Sequence, residues 1–317
     1  MKFIEKHPYL LITAALLLAC IVFHIPFGWS LLVFVAYGLI LYITHLGTAV
    51  GWTAYLLDGF LKKPAFAHAL YRFAIKHNTR CVHAMLAYGL DMLRDCHYSE
   101  ALPVFQQIVS MKDVSPMLLK YAEQDLAIAY WKCGQLDKAI ETMEMMVAKY
   151  EYFSLDFNTT LGYFYIEAGD YDKALDYTDK ALHENETHGP AYDNLGQIAF
   201  RQGNYEDAER YFLKALDLKD TMVDSKYHLG LIYESWGNQE LAAEYFAAAH
   251  QCNITGMNTV SREQVDAKYE QYWSGRDASE VRTPARVSED TDDIEREELS
   301  ELKSHEEDTD DIETENR

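Results

Sequence analysis

The sequence predicts an all-α protein: an α-solenoid of about five helix-turn-helix repeats, an N-terminal two-helix transmembrane hairpin before it, and a disordered acidic C-terminal tail. Three observations predict it. A motif returns every 34 residues, two apolar stretches at the front lack charge, and the acidic end loses the 34-residue periodicity. The motif reads Leu161-Gly162-x-x-Tyr165, then Gly169-Asp170-Tyr171 and Ala174. It returns as Leu195-Gly196-x-x-Ala199, Gly203-Asn204-Tyr205 and Ala208, and as Leu229-Gly230-x-x-Tyr233, Gly237-Asn238-Gln239 and Ala242. A fixed period of this length is the signature of a helical solenoid, in which each unit buries its apolar face against its neighbours. Such an architecture supplies a binding surface and brings no catalytic site of its own.

At the front, residues 9–25 and 31–57 contain no Asp, Glu, Lys or Arg, and Pro26-Phe27-Gly28-Trp29-Ser30 between them reads as a turn. A bilayer core needs about 20 apolar residues, with about 17 at the short limit, so spans at about 9–25 and 31–52 are expected within a hairpin of residues 1–60. Trp29 would mark one interface, and Trp52 with Tyr55 the other. Lys2 and Lys6 precede the first span, and Lys62, Lys63, Arg72, Lys76 and Arg80 follow the second. The bias of basic residues toward the inner face then puts both flanks and the repeats in the cytoplasm of a bacterial-type cell membrane. The bland alternative for the first span is a cleaved signal peptide, and Leu17-Leu18-Ala19-Cys20 resembles a lipoprotein cleavage box. Gly47-x-x-x-Gly51 offers a smooth face for close helix approach, although glycine is ordinary in membrane helices. His45 reads as a neutral side chain hydrogen-bonded to a neighbouring helix.

The charge is uneven. The net value is −22, yet residues 1–81 carry seven Lys/Arg against two Asp/Glu. An acidic body excludes nucleic acid, whose phosphates need a basic stripe. The five cysteines are odd in number and show no Cys-x-x-Cys spacing, so free thiols in a reduced compartment are expected and no metal site is. No nucleophile–base constellation or phosphate-cradling loop occurs, so neither an enzyme nor a cofactor is expected.

The repeats resemble the tetratricopeptide repeat family over residues 82–256. Leu126-Ala127-x-x-Tyr130, Gly134-Gln135-Leu136 and Ala139 form a fourth unit, and Tyr88-Gly89-x-x-Met92, Cys96-His97-Tyr98 and Ala101 a degenerate fifth. The units are then 82–119, 120–154, 155–188, 189–222 and 223–256. The resemblance implies two antiparallel helices per unit. Small Gly89, Ala127, Gly162, Gly196 and Gly230 allow close helix approach, and Gly134, Gly169, Gly203 and Gly237 suit the left-handed position that ends the first helix. Phe105, Met143, Phe212 and Phe246 fill the core, where Thr178 breaks the pattern. Cys96 stands where the other units have the turn glycine. Residues 61–81 read as a linker helix. Residues 257–274, opened by the capping box Ser261-x-x-Gln264, read as a capping helix. Fragment 64–274 should be helical and soluble.

The resemblance also implies a concave groove on the first helices, lined by Tyr121, Gln124, Ile128 and Trp131; Thr159, Tyr163 and Ile166; Asp193, Asn194, Gln197 and Phe200; and Tyr227, Leu231 and Glu234. The family's clamp for acidic chaperone tails needs Lys, Asn and Arg at set places, and only Asn194 fits. An aromatic, mildly acidic groove prefers an apolar or basic peptide segment. In residues 275–317, Glu289-Asp-Thr-Asp-Asp-Ile-Glu295 returns at 307–313, and this charge and lack of aromatics predict disorder. The expected function is a membrane-anchored scaffold or adaptor for protein partners. The alternative is a subunit or assembly factor of a membrane complex that works through its hairpin.

Overall fold

The structure, a computed structural model, describes residues 8–22, 26–61, 64–150 and 154–274. The acidic tail and Lys2, Lys6, Lys62 and Lys63 lie outside these residues. The described chain is all-α, with no strand, and it divides after Gln135 into two compact units.

Unit 1 holds α1 (Pro8–Val22), α2 (Phe27–Thr44), α3 (Leu46–Leu61), α4 (Pro64–Lys76), α5 (Val82–Arg94), α6 (Tyr98–Ser110) and α7 (Pro116–Lys132). From α3 onward the helices pair. α3 packs on α4 and α5 on α6, while α3, α5 and α7 follow one another side by side. This corrects the transmembrane hairpin expected from the sequence. Among the described residues no helix is long and apolar enough to cross a membrane. The second apolar stretch breaks at His45, which is exposed in a turn, and its C-terminal half is the first helix of an additional repeat-like pair.

The two glycines set that pairing. A Cβ on Gly47 would lie 2.2 Å from the His77 carbonyl oxygen, and one on Gly51 would lie 2.8 Å from Thr79 Oγ1. The smooth face of α3 is therefore spent on the α4–α5 corner of its own unit. The corner is tied further by the Arg80 amide, which donates to Thr48 Oγ1 at 3.0 Å. Residues 64–76 are accordingly no isolated linker helix. Ala67, Tyr71 and Ala74 of α4 are fully buried, and the Tyr71 hydroxyl donates to Asp58 of α3 at 3.1 Å.

Unit 2 holds α8 (Leu136–Lys149), α9 (Leu155–Ala168), α10 (Tyr171–Glu184), α11 (Gly189–Gln202), α12 (Tyr205–Leu218), α13 (Val223–Ser235), α14 (Gln239–His250) and α15 (Arg262–Trp273). α9–α10, α11–α12 and α13–α14 are the repeat pairs. Each first helix stops on a left-handed glycine, with φ of 77° at Gly169, 80° at Gly203 and 76° at Gly237. The next residue, Asp170, Asn204 or Asn238, caps the second helix by accepting a backbone amide. In unit 1, Cys96 takes this left-handed role at φ 62° without glycine's freedom.

The small residue of each first helix faces the core residue of the second. A Cβ on Gly196 would meet the Phe212 ring at 2.7 Å, one on Gly230 the Phe246 ring at 2.6 Å, and one on Gly89 the Phe105 ring at 2.5 Å. Thr178 fills the equivalent place beside Gly162 and satisfies its buried hydroxyl by donating to the Ala174 carbonyl at 2.7 Å. α15 closes the stack. Ser261 opens it with a reciprocal capping box, and the Trp273 indole donates to the Ala243 carbonyl at 2.9 Å.

Candidate protein-binding face

In unit 2 the first helices α9, α11 and α13 lie side by side, so each presents a stripe of side chains to the next. Most of the groove residues expected there are drawn into these contacts. Thr159, Tyr163, Ile166, Asp193, Asn194, Gln197 and Tyr227 are buried, and Phe200, Leu231 and Glu234 are half-buried. A polar chain links the helices. Asn194 Nδ2 donates to the Thr159 carbonyl at 2.9 Å across α9 and α11. Gln197 Nε2 donates to Asp193 Oδ2 at 2.8 Å, and the Ser225 hydroxyl of α13 donates to Asp193 Oδ1.

Burial of a carboxylate disfavours its charge, and Asp224 adds a like charge nearby. Asp193 is accordingly pushed up to about 7. Burial lowers His228, which stacks on Phe212 with ring centroids 5.2 Å apart and meets Phe200 edge-on at 5.1 Å. The Tyr163 hydroxyl donates to Glu167 at 2.9 Å, and Arg201 of α11 pairs with the same carboxylate. Tyr227 meets Phe246 edge-on at 5.7 Å.

Glu234 is occupied from within the chain. It receives Lys268 at 2.5 Å and the Tyr272 hydroxyl at 2.9 Å, both from α15. Those contacts hold it charged at neutral pH, its carboxyl below the ordinary value despite partial burial. A second carboxylate, Asp224, ties the first turn of α13 to the segment before α15. It accepts the amides of Thr259 and Val260 at 2.8 Å each, and the Asn258 side-chain amide at 3.1 Å. Sequence reasoning did not find this anchor, because nothing local to Asp224 signals a partner 35 residues away.

In unit 1, Ile128 is buried, Gln124 and Trp131 are half-buried, and Tyr121 is 50% exposed. Lys132 Nζ sits over the Trp131 ring at 4.0 Å. The stripe also carries residues the sequence reading did not place there. Trp52 and Tyr55, read as an interfacial belt, stand on α3 beside His83 of α5. Asp125 lies one turn after Tyr121 on α7. The signal was the small-residue position at Gly51, which sets Trp52 in the register that Tyr163 holds after Gly162. Among the described residues no group of His, Cys, Asp and Glu could hold a metal ion.

Residues 155–221 match one tetratricopeptide repeat model, and residues 194–253 match another. No curated protein sequence matches the chain. Among solved structures it is similar to a thermophilic tetratricopeptide repeat protein of Thermus thermophilus, at 20% identity and a TM-score of 0.50, over 60% of this chain and 98% of that one. A tetratricopeptide repeat protein of Parabacteroides merdae is similar at 16% identity and a TM-score of 0.49, over 71% of this chain and 98% of the other. The chain thus carries tetratricopeptide repeats, a fold that typically serves as a non-enzymatic scaffold for protein partners.

Proposed function

We propose that this chain is a scaffold that holds a protein segment on the stripe of its first helices and is attached to a membrane by its apolar front. The observation that carries the scaffold is the stacking of α9, α11 and α13. It leaves half-buried Phe200 and Leu231 beside fixed polar groups instead of a mobile surface. Rigid aromatic and apolar side chains lose little freedom on binding and commonly dominate interfaces. Tyr121, Gln124 and Trp131 offer a comparable stripe on α7.

Membrane attachment is supported by α1 and α2, neither of which contains a charged residue. On α2, Leu31, Leu32, Val35, Leu39 and Ile40 are each more than half exposed, at 51–58%. Apolar surface of this continuity demands a cover, and lipid fits helices that are apolar on every face. Basic Arg72, Lys76 and Arg80, which follow the apolar front, support a cytoplasmic position for the repeats.

The test is site-specific photocrosslinking of the full chain in its own cells. A benzophenone side chain at Tyr121, Phe200 or Leu231 should capture a discrete protein partner. The same group at Met145, exposed on the second helix α8, should not. Equal capture at all these positions, or none at any, overturns the scaffold reading. Release of the chain from membranes by alkaline carbonate overturns the attachment.

A further inference from the structure

On the first-helix stripe of unit 1, one aromatic cluster and one carboxylate are left open. Trp52 and Tyr55 of α3 are 44% and 39% exposed. Their rings converge with His83 of α5, at centroid separations of 5.3 Å and 5.0 Å, and lie 6.2 Å from each other. Three aromatic groups held this way form an open-sided seat for an apolar or aromatic side chain.

Further along the stripe, on α7, stands half-buried Asp125. Its carboxylate makes no hydrogen bond or ion pair with any described residue. Burial pushes it up to about 7 against the pull of Arg94, which is exposed at the end of α5 and does not pair with it. The equivalent side chain in unit 2, Asn194, is neutral and donates to Thr159. A half-buried carboxylate without a partner is costly, and a cation brought to it regains that cost.

We infer that the first-helix stripe of unit 1 docks a protein segment that carries an aromatic or large apolar residue and, further along, a Lys or Arg. The apolar residue seats on Trp52, Tyr55 and His83, and the cation on Asp125 beside half-exposed Tyr121. This rests on the scaffold reading and names the partner's chemistry. The spacing follows from the fold. α3, α5 and α7 stand side by side, so the two seats are two interhelix steps of about 8–10 Å apart. An extended chain advances about 3.3 Å per residue, so the two ligand side chains lie about five or six residues apart. A lipid surface is the other cover for exposed Trp and Tyr, and the observations disfavour it. An unpaired carboxylate on the same stripe repels anionic headgroups and gains nothing from acyl chains.

The experiment uses the full chain in detergent micelles and a random dodecapeptide library displayed on phage. Selected peptides should share an aromatic or large apolar residue with Lys or Arg five or six positions away. A synthetic selected peptide should bind Asp125→Asn and Trp52→Ala at least tenfold more weakly than the wild type. Trp52→Phe should restore most of the affinity, and circular dichroism should show unchanged helicity in each variant. Selected peptides without a basic residue, or affinity unmoved by Asp125→Asn, overturn the inference. So does a result in which no peptide is selected while vesicles of phosphatidylglycerol bind the wild type and not Trp52→Ala. If crosslinks at Phe200 and Leu231 persist while peptide binding fails at unit 1, the scaffold reading stands and this inference alone falls.

Discussion

Replacing Gly196 by Ala asks the helix pair α11–α12 to accept one methyl group. In an unconstrained helix the change is favourable by about 0.8–1.0 kcal/mol, because Gly loses more backbone entropy than Ala. Here the new Cβ would lie 2.7 Å from two carbons of the Phe212 ring, and that ring is fully buried. The ring or the helix must move, and overpacking of this kind costs about 1–3 kcal/mol. The net expectation is a loss of about 1 kcal/mol. Gly162 is the internal comparison. Its Cβ would meet Thr178 Oγ1 at 3.1 Å and nothing closer, so the same replacement should be close to neutral. Urea denaturation of the full chain, followed by circular dichroism, reads the difference. A loss of about 1 kcal/mol lowers the midpoint by about 0.3–1 M at usual slopes. Combining Gly196→Ala with Phe212→Leu should leave the chain no less stable than Phe212→Leu alone, since the smaller side chain makes room. Gly196→Ala and Gly162→Ala raising the midpoint equally would refute the argument that the aromatic ring dictates glycine here.

Cys96→Gly should stabilise the protein by about 0.5 kcal/mol, because left-handed backbone costs a non-glycine residue about 1–2 kcal/mol, partly offset by the freedom glycine adds to the unfolded chain; the urea midpoint checks it. Asp193 binds its proton more tightly when folded than unfolded, so its contribution is full below about pH 4 and is lost as pH rises through about 7. Asp193→Asn should flatten that decline in a series of urea titrations from pH 4 to pH 8, and an unchanged slope would assign the titration elsewhere. Asp224→Ala leaves the amides of Thr259 and Val260 without their acceptor and should cost about 2–3 kcal/mol. Hydrogen exchange at those two amides should accelerate with it.

The repeats were legible because their determinants are local. A turn glycine every 34 residues and a small residue seven positions earlier specify where each helix ends and how closely its partner approaches. The helix after His45 was not legible for a reason equally physical. Residues 31–57 are apolar throughout, and apolarity alone does not distinguish a helix in lipid from one packed on protein. The distinguishing contact, Gly47 against the His77 carbonyl, is formed with a segment 30 residues away. The groove was legible in direction but not in depth. Register along a helix tells which way Asp193 and Gln197 point, whereas their burial depends on Ser225 and the packing of α13 beside them. Asp125 is not legible in the sequence because what matters about it is the lack of a bonded partner, and a sequence does not display what a residue lacks.

The pairing of α3 with α4 redraws where this protein can be cut. A fragment starting at residue 64 would keep α4 and discard the helix that covers it. Ala67, Tyr71 and Ala74 would meet water, and the Tyr71 hydroxyl would lose Asp58. Such a fragment invites self-association through a surface the intact chain never shows, and binding experiments on it would measure that artefact. A fragment starting at Leu46 retains the lid, sheds α1 and α2, and keeps Trp52 and Tyr55 in place. The boundary between the apolar front and the paired helices therefore falls at a single histidine, within what hydropathy marks as one uninterrupted stretch.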